Sequence, residues 1–89
     1  MNSIINDEFR ALFAELPARV KRQARAAYRR FMRDPSHPSL HFKRIHTHDP
    51  IYSVRIGLRY RAVGIVDGGT VTWFWIGSHA DYDALLRQR

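Results

Sequence analysis

The sequence contains no cysteine among its 89 residues. A disulfide framework and a thiolate metal site are therefore excluded, and the composition fits a reducing compartment. Apolar runs are short, and none approaches the ~18 residues that a membrane-spanning helix requires. The N-terminal segment MNSIINDEFR has no basic stretch before an apolar one, so we expect no secretory signal. These absences predict a cytoplasmic protein without a membrane partner.

Acidic residues are scarce, with 8 Asp and Glu against 15 Lys and Arg, which gives a formal net charge of +7. Lysine is scarce too, because all of these cations except Lys21 and Lys43 are arginine. Arginine binds phosphate through a planar fork, whereas lysine is a hydrated point charge. The charge favours a nucleic-acid partner or an acidic protein partner. A GC-rich genome, which favours arginine codons, would produce the same composition.

A chain of this length buries a single small core, and no repeat or long linker divides it. We therefore expect one domain that covers residues 1–89. Residues 6–33 have a helical period of apolar residues on both sides of Pro17, with Asn6 as an N-cap and Asp34-Pro35 as the end. The apolar positions are Phe9, Leu12, Phe13 and Leu16, then Val20, Ala24, Ala27, Tyr28 and Phe31. The opposite side of the second helix carries a basic stripe, formed by Arg22, Arg25, Arg29 and Arg33.

The second half of the chain has the period of two that is typical of strands. The predicted strands are Tyr52–Ile56, Tyr60–Val66 and Thr70–Ile76, with a shorter candidate at Leu40–Ile45. Asp67-Gly68-Gly69 predicts a tight hairpin, Gly77 ends the last strand, and Ser78 caps a terminal helix over Tyr82–Arg87. The predicted fold class is α+β, with an N-terminal helical hairpin packed on a small twisted antiparallel sheet and a short C-terminal helix. We expect the other sheet face to be open and to carry Ser53 and Arg55.

Four histidines crowd around the first strand candidate, namely His37, His41, His46 and His48. Zinc needs three or four convergent ligands, but no cysteine and no HExxH pattern is present. The nearby carboxylates are Asp34 and Asp49. We therefore expect exposed loop histidines, no metal and no cofactor.

Arg55 and Arg61 are expected on adjacent strands, where they can face each other across a hairpin. Two guanidinium groups there would bind one phosphate and stabilise a phosphorane-like transition state. The plainer interpretation is a solvated basic sheet face. Lys43, Arg44 and Arg59 are the other cations of this region.

His79 follows Gly77-Ser78 directly after a strand, at the start of the predicted terminal helix. An exposed imidazole there can transfer protons near neutral pH. The alternative is a polar residue at a helix start with no further role. Asp81 and Asp83 are expected to stabilise the helix N-terminus rather than to act in catalysis.

Three segments, YSVRI (52–56), YRAVG (60–64) and WFWIGSHADYD (73–83), resemble the RelE/ParE toxin superfamily of bacterial type II toxin–antitoxin modules. The helical hairpin and the Pro/His-rich segment at residues 35–43 resemble that family as well. The resemblance implies two helices on a twisted sheet and a cognate acidic antitoxin. For the RelE-like branch it also implies ribosome-dependent mRNA cleavage without a metal, by attack of the RNA 2′-hydroxyl.

The resemblance also implies roles for individual residues. Arg61 would hold the scissile phosphate, Arg55 is a basic strand position, and His79 would be a general acid or base. Tyr82 lies near an aromatic position that is functional in some members. The remaining expected RNA contacts are Lys43, Arg44, Arg59 and Ser53, of which Ser53 stands where other members can carry a basic residue.

Two features depart from the family pattern or leave the target open. The family opens with a strand before the helices, and here only Ser3–Ile5 could supply a vestige of it. The ParE-like branch has the same fold but poisons DNA gyrase, and a non-catalytic basic RNA- or protein-binding module is a third possibility. His79 favours the nuclease, because a gyrase binder has no need of an imidazole.

Overall fold

The computed structural model describes residues 1–88, which form a five-stranded sheet and three α-helices. The elements in chain order are β1 (Asn2–Ile5), α1 (Asp7–Ala14), α2 (Ala18–Arg33), a 3-10 turn (Pro38–Leu40), β2 (Lys43–Arg44), β3 (Ile51–Ile56), β4 (Tyr60–Asp67), β5 (Thr70–Ser78) and α3 (His79–Arg87). The strand order is β1-β5-β4-β3-β2. The α+β class, the two N-terminal helices and the C-terminal helix are confirmed. None of these helices is long and apolar enough to cross a bilayer.

The N-terminal strand makes the sheet mixed, since β1 runs parallel to β5 while the other pairs are antiparallel. The sequence suggested only a vestige here, yet Asn2–Ile5 pairs along its whole length with β5. The Ser3 hydroxyl fixes this edge, because it accepts hydrogen bonds from Trp73 Nε1 at 3.0 Å and from the Tyr28 hydroxyl at 2.9 Å. The N-terminal strand is therefore tied to both the sheet and α2.

The principal core lies between the helices and one face of the sheet. Asn6 caps α1 as expected, with its side chain accepting from the Phe9 backbone N–H at 2.9 Å. Apolar residues of α2 pack on the strands, and the buried members of this layer include Val20, Ala24, Ala27, Phe31, Val54, Ile56, Ala62, Val71, Trp73 and Ile76. No residue of α1 is fully buried. The predicted apolar stripes are therefore confirmed, but that of α1 is only partly covered.

The β4–β5 hairpin turns on the two glycines that the sequence indicated. Asp67 pairs with Thr70, and Gly68 and Gly69 have φ values of 56° and 82°. A two-residue turn with positive φ at both positions matches the right-handed twist of the flanking strands, and glycine adopts it without strain.

Two predicted boundaries are wrong. The strand expected at Leu40–Ile45 is reduced to Lys43–Arg44, because residues 38–40 form a 3-10 turn that buries Leu40. His37 caps this turn through its Nδ1, which accepts from the Ser39 backbone N–H at 3.2 Å. The last strand does not stop at Gly77 but continues to Ser78, so α3 begins at His79 rather than at Tyr82. Ser78 is its N-cap, as expected, and accepts from the Asp81 backbone N–H at 3.1 Å.

The second sheet face is not open over its whole area, as the sequence suggested, because α3 folds back across it. Tyr82 joins a second buried cluster with Ile51 and Val63, and Leu85 and Trp75 pack against that cluster. The helix covers this part of the face because its apolar residues become buried when they pack against the sheet. Ser53 is buried as a consequence, with 2% of its surface exposed.

Candidate functional site

Arg55 on β3 and Arg61 on β4 are direct cross-strand partners. Such partners project from the same face of a sheet with their Cβ atoms about 4.5–5.5 Å apart. Each side chain is half-buried and bonded to a nearby carbonyl: Arg55 Nε donates to Gly57 O at 3.1 Å, and Arg61 Nη1 donates to Tyr60 O at 2.8 Å. No ion pair within residues 1–88 involves either arginine. The pair is therefore a concentration of positive charge on which an anion can bind.

The surroundings of Arg61 disfavour the charged form of its guanidinium group. Burial, and then the neighbouring Arg55 guanidinium, lower the pKa of Arg61 from its ordinary value, while Tyr82 and Asp83 act in the opposite direction. Arginine remains protonated at neutral pH all the same. A bound phosphate would relieve the repulsion between the two guanidinium groups, which makes this position suited to an anion.

His79 lies at the same end of the sheet. Arg61 pairs with Gly77 and Tyr60 pairs with Ser78, so His79 follows immediately after the strand segment beside Arg61. Its backbone N–H donates to Arg59 O at 2.6 Å, and its Nδ1 lies 3.2 Å from Asp83 Oδ2. The structure thus places the predicted acid–base residue and both predicted phosphate-binding arginines at the same end of the sheet.

Tyr82 and Ser53 occupy the floor of this region rather than its surface. The Tyr82 hydroxyl donates to Ser53 Oγ at 3.3 Å, and only 7% of Tyr82 and 2% of Ser53 is exposed. The Tyr82 and His79 rings also make an edge-type contact, with 5.9 Å between their centroids. The expectation that Ser53 lies on an open sheet face is therefore wrong, because the residue is buried. The Tyr82 ring packs against His79, and the Tyr82 hydroxyl is hydrogen-bonded to Ser53.

Further cations extend the positive surface along the sheet. Lys43 is exposed and pairs with Ser53, so it lies on the same face as Arg55 two residues away along β3. Arg59 is exposed in the turn between β3 and β4. Arg44 is exposed as well, but it stabilises the following loop by donating to His46 O at 3.0 Å and to His48 O at 3.4 Å.

Two of the four loop histidines, His37 and His46, cap backbone N–H groups of their turns. His46 Nδ1 accepts from the backbone N–H groups of His48 at 3.2 Å and Asp49 at 2.9 Å. Over residues 1–88, no three or more His, Asp or Glu side chains are arranged to hold a metal ion.

A second feature, which the sequence did not predict as a site, is an apolar groove between α1 and α2. Its cavity has a volume of about 360 Å³, and its floor is formed by Trp73, Val54 and Ala62 of the sheet. Both helices line it, and Ile5 of β1 contributes as well. The helical lining residues are Phe9, Phe13, Ala24, Ala27, Tyr28 and Phe31, and the rim carries Arg10, Arg25 and Arg29. The Arg25 guanidinium lies over the Phe13 ring, 5.2 Å from its centroid. The apolar residues Phe9 and Phe13 of α1 are only partly buried because they line this groove.

Comparison with solved structures places this fold among small bacterial and archaeal toxins. The RelB–RelE antitoxin–toxin complex of Methanococcus jannaschii matches with a TM-score of 0.73 at 18% identity, over 91% of this chain and 96% of that chain. The RelBE2 toxin–antitoxin complex of Mycobacterium tuberculosis matches with a TM-score of 0.68 at 20% identity, over 88% and 96%. The isolated RelE toxin of Escherichia coli matches with a TM-score of 0.65 at 14% identity, over 99% and 98%. The two-helix layer on a five-stranded sheet is thus the RelE-like toxin fold.

The sequence itself carries the family signal. The family model of the ParE-like toxin domain matches residues 18–84, which include α2 and all of the strands from β2 to β5. A comparison with curated protein sequences gave no match. The chain belongs to the ParE-like toxin domain family, within the RelE/ParE superfamily of toxins from toxin–antitoxin systems.

Proposed function

We propose that this toxin cleaves mRNA in the ribosomal A site, without a metal or cofactor, by internal transesterification. The observation that carries the proposal is the Arg55–Arg61 pair, two cross-strand guanidinium groups that form no ion pair within residues 1–88, with His79 at the same end of the sheet. A fold shared by many toxins does not determine the reaction, so the proposal rests on this site.

The chemistry requires a nucleophile, proton transfer and stabilisation of charge. The RNA 2′-oxygen attacks the adjacent phosphorus; the new 2′-O–P bond forms as the P–O5′ bond breaks, which leaves a cyclic phosphate on the upstream fragment and a 5′-hydroxyl on the downstream one. Arg55 and Arg61 bind the phosphate and stabilise the additional negative charge of the transition state. His79 transfers a proton, either from the 2′-hydroxyl or to the departing 5′-oxygen.

Binding to the ribosome would use the surrounding cations. Lys43 and Arg59 flank the arginine pair on the exposed surface and suit contacts with phosphates of mRNA or rRNA. Arg44 adds positive charge at the sheet edge, and its side chain also donates a hydrogen bond to the loop carbonyl of His46. Such contacts are favourable because they release counterions from the nucleic acid.

The proposed partner for the inhibited state is an acidic antitoxin protein, and the groove between α1 and α2 supports it. An amphipathic helix would place its apolar side on Phe9 and Phe13 and its carboxylates against the rim arginines. RNA has no apolar stripe to fill such a groove. Two of the structurally similar toxins described above were solved together with their antitoxins.

The test is cleavage of a reporter mRNA on translating ribosomes by purified wild type, Arg61→Ala and His79→Gln. We expect the wild type to cleave and both variants to lose activity by about 10²–10⁴-fold, the range for loss of acid–base or electrostatic catalysis. Arg19→Ala is the control, since it removes one exposed arginine of α2 outside the site. Undiminished cleavage by both site variants would overturn the assignment of residues.

Other outcomes separate the alternative functions. Absence of RNA cleavage together with gyrase–DNA adducts would identify a gyrase poison. If expression without an antitoxin causes no growth arrest, the protein is a basic RNA- or protein-binding module without toxic activity.

A further inference from the structure

Within residues 1–88, the carboxylate that pairs with the His79 ring is that of Asp83. Its Oδ2 lies 3.2 Å from His79 Nδ1, and the two residues are one turn apart on α3 with 48% of each side chain exposed. Two further contacts restrict His79, the backbone hydrogen bond to Arg59 O and the ring contact with Tyr82. The backbone of His79 is thus fixed by one contact and its imidazole ring by two.

The position of Asp83 is not explained by helix capping alone. Asp81, in the first turn of α3, already supplies a carboxylate that favours the positive end of the helix dipole. Asp81 is exposed and takes part in no ion pair within residues 1–88. Asp83, one turn beyond His79, also lies close enough to Arg61 to favour the charged guanidinium. Asp83 is therefore a carboxylate that lies beside the imidazole and near Arg61.

We propose that Asp83 is the positioning residue of His79: its carboxylate holds the proton on Nδ1 and leaves Nε2 as the nitrogen that exchanges a proton with RNA. The inference deepens the proposed RNA-cleaving function and rests on it for its catalytic consequence. The proton carried by one ring nitrogen is set by the partner of the other nitrogen, so a fixed carboxylate selects the tautomer. The same carboxylate stabilises the imidazolium that forms when Nε2 accepts a proton.

The first test is NMR of the free protein labelled with 15N in its histidines, at a pH where the imidazole is neutral. We expect His79 to carry its proton on Nδ1 in the wild type and in Asp81→Ala. In Asp83→Ala the population shifts towards the Nε2-protonated tautomer. An unchanged tautomer in Asp83→Ala would overturn the proposal. This measurement does not depend on any activity of the protein.

The second test is a double-mutant cycle in ribosomal mRNA cleavage. Asp83→Ala is expected to lower kcat by about tenfold or more with little change in KM, a part of the 10²–10⁴-fold that a positioned acid–base group contributes. In a His79→Gln background the same change should have no further effect, because the residue that Asp83 positions is gone. Asp83→Asn, which keeps an acceptor for the Nδ1 proton, should recover part of the rate. Asp81→Ala serves as the matched control.

The possible results separate the two proposals. An equal loss from Asp83→Ala in both backgrounds would mean a structural role and would overturn the positioning role. A wild type that cleaves no RNA would overturn the proposed function together with the catalytic role of Asp83. The NMR experiment would still decide whether Asp83 sets the tautomer of His79.

Discussion

Arg55 and Arg61 face each other across the β3–β4 hairpin, where two like charges weaken the sheet that carries them. Burial and the Arg55 guanidinium also lower the pKa of Arg61, so the folded protein disfavours the charge at this position. Opposing cations at a half-buried position are typical of a binding site, because a ligand rather than the fold supplies the counter-charge.

The first prediction is that Arg61→Gln stabilises the free protein while removing phosphate binding. Relief of the cross-strand repulsion should raise the free energy of unfolding by roughly 0.2–1 kcal/mol, the range for one cross-strand pair. Urea denaturation at low and high salt measures the effect, which should shrink as salt screens the repulsion. Arg59→Gln is the control, since Arg59 lies in the turn without a cross-strand partner. A loss of stability in Arg61→Gln would contradict the repulsion.

The gain in stability should also be independent of pH across the neutral range. The pKa of Arg61 is lowered in the folded state, so the penalty is fully present at every pH below that lowered value. It is relieved only as the pH rises through the folded-state pKa, far into the alkaline range, because arginine stays protonated near neutrality. A gain that changed between mildly acidic and mildly alkaline buffers would point to another titrating group.

The second prediction concerns the buried hydroxyl pair beneath His79. Ser53→Ala leaves the Tyr82 hydroxyl without a partner, which should cost about 1–3 kcal/mol of stability. Adding Tyr82→Phe to this variant removes the unsatisfied group, so the double variant should be more stable than the sum of the two single changes indicates. Chemical denaturation of all four proteins gives the coupling. Tyr60→Phe is the control, since no hydrogen bond found within residues 1–88 involves the Tyr60 hydroxyl. Strict additivity would contradict the coupling.

The elements that follow from local chemistry could be predicted from the sequence. Asn6 and Ser78 cap their helices, and Gly68-Gly69 forms the turn that positive φ requires. These features depend on neighbouring residues alone. The family resemblance then indicated Arg55, Arg61 and His79, whose proximity the fold provides.

What the sequence could not provide depends on contacts between distant segments. β1 is too short for a periodic signal and is stabilised by a parallel partner near the other end of the chain. The alternation in β3 places Ser53 with Arg55 on one face, but it carries no information on where α3 will lie. The contact between Asp83 and His79 needed the helix to begin at His79 rather than at Tyr82, because only then are the two residues one turn apart on α3.

The third prediction is that the groove between α1 and α2 binds the proposed acidic antitoxin. Phe9→Asp places a charge on the apolar lining and should weaken antitoxin affinity at least tenfold, because a buried unpaired carboxylate costs more than about 1.4 kcal/mol. Isothermal titration calorimetry with the proposed antitoxin measures the affinity. Ala11→Asp introduces the same charge at an exposed position of α1 and serves as the control. Equal effects from both variants would mean that the antitoxin binds elsewhere.

The fourth prediction is a steep salt dependence of ribosome binding. Each phosphate contact adds about −0.7 to −0.9 to the slope of log affinity against log salt, because each releases condensed counterions. Lys43→Gln should therefore make the slope shallower by about one contact and weaken binding at low salt more than at high salt. Arg87→Gln removes a cation from the C-terminal turn of α3 and should leave the slope as it is in the wild type. Filter binding or sedimentation across a salt series makes the comparison. An affinity that is insensitive to salt would exclude phosphate contacts as the basis of binding.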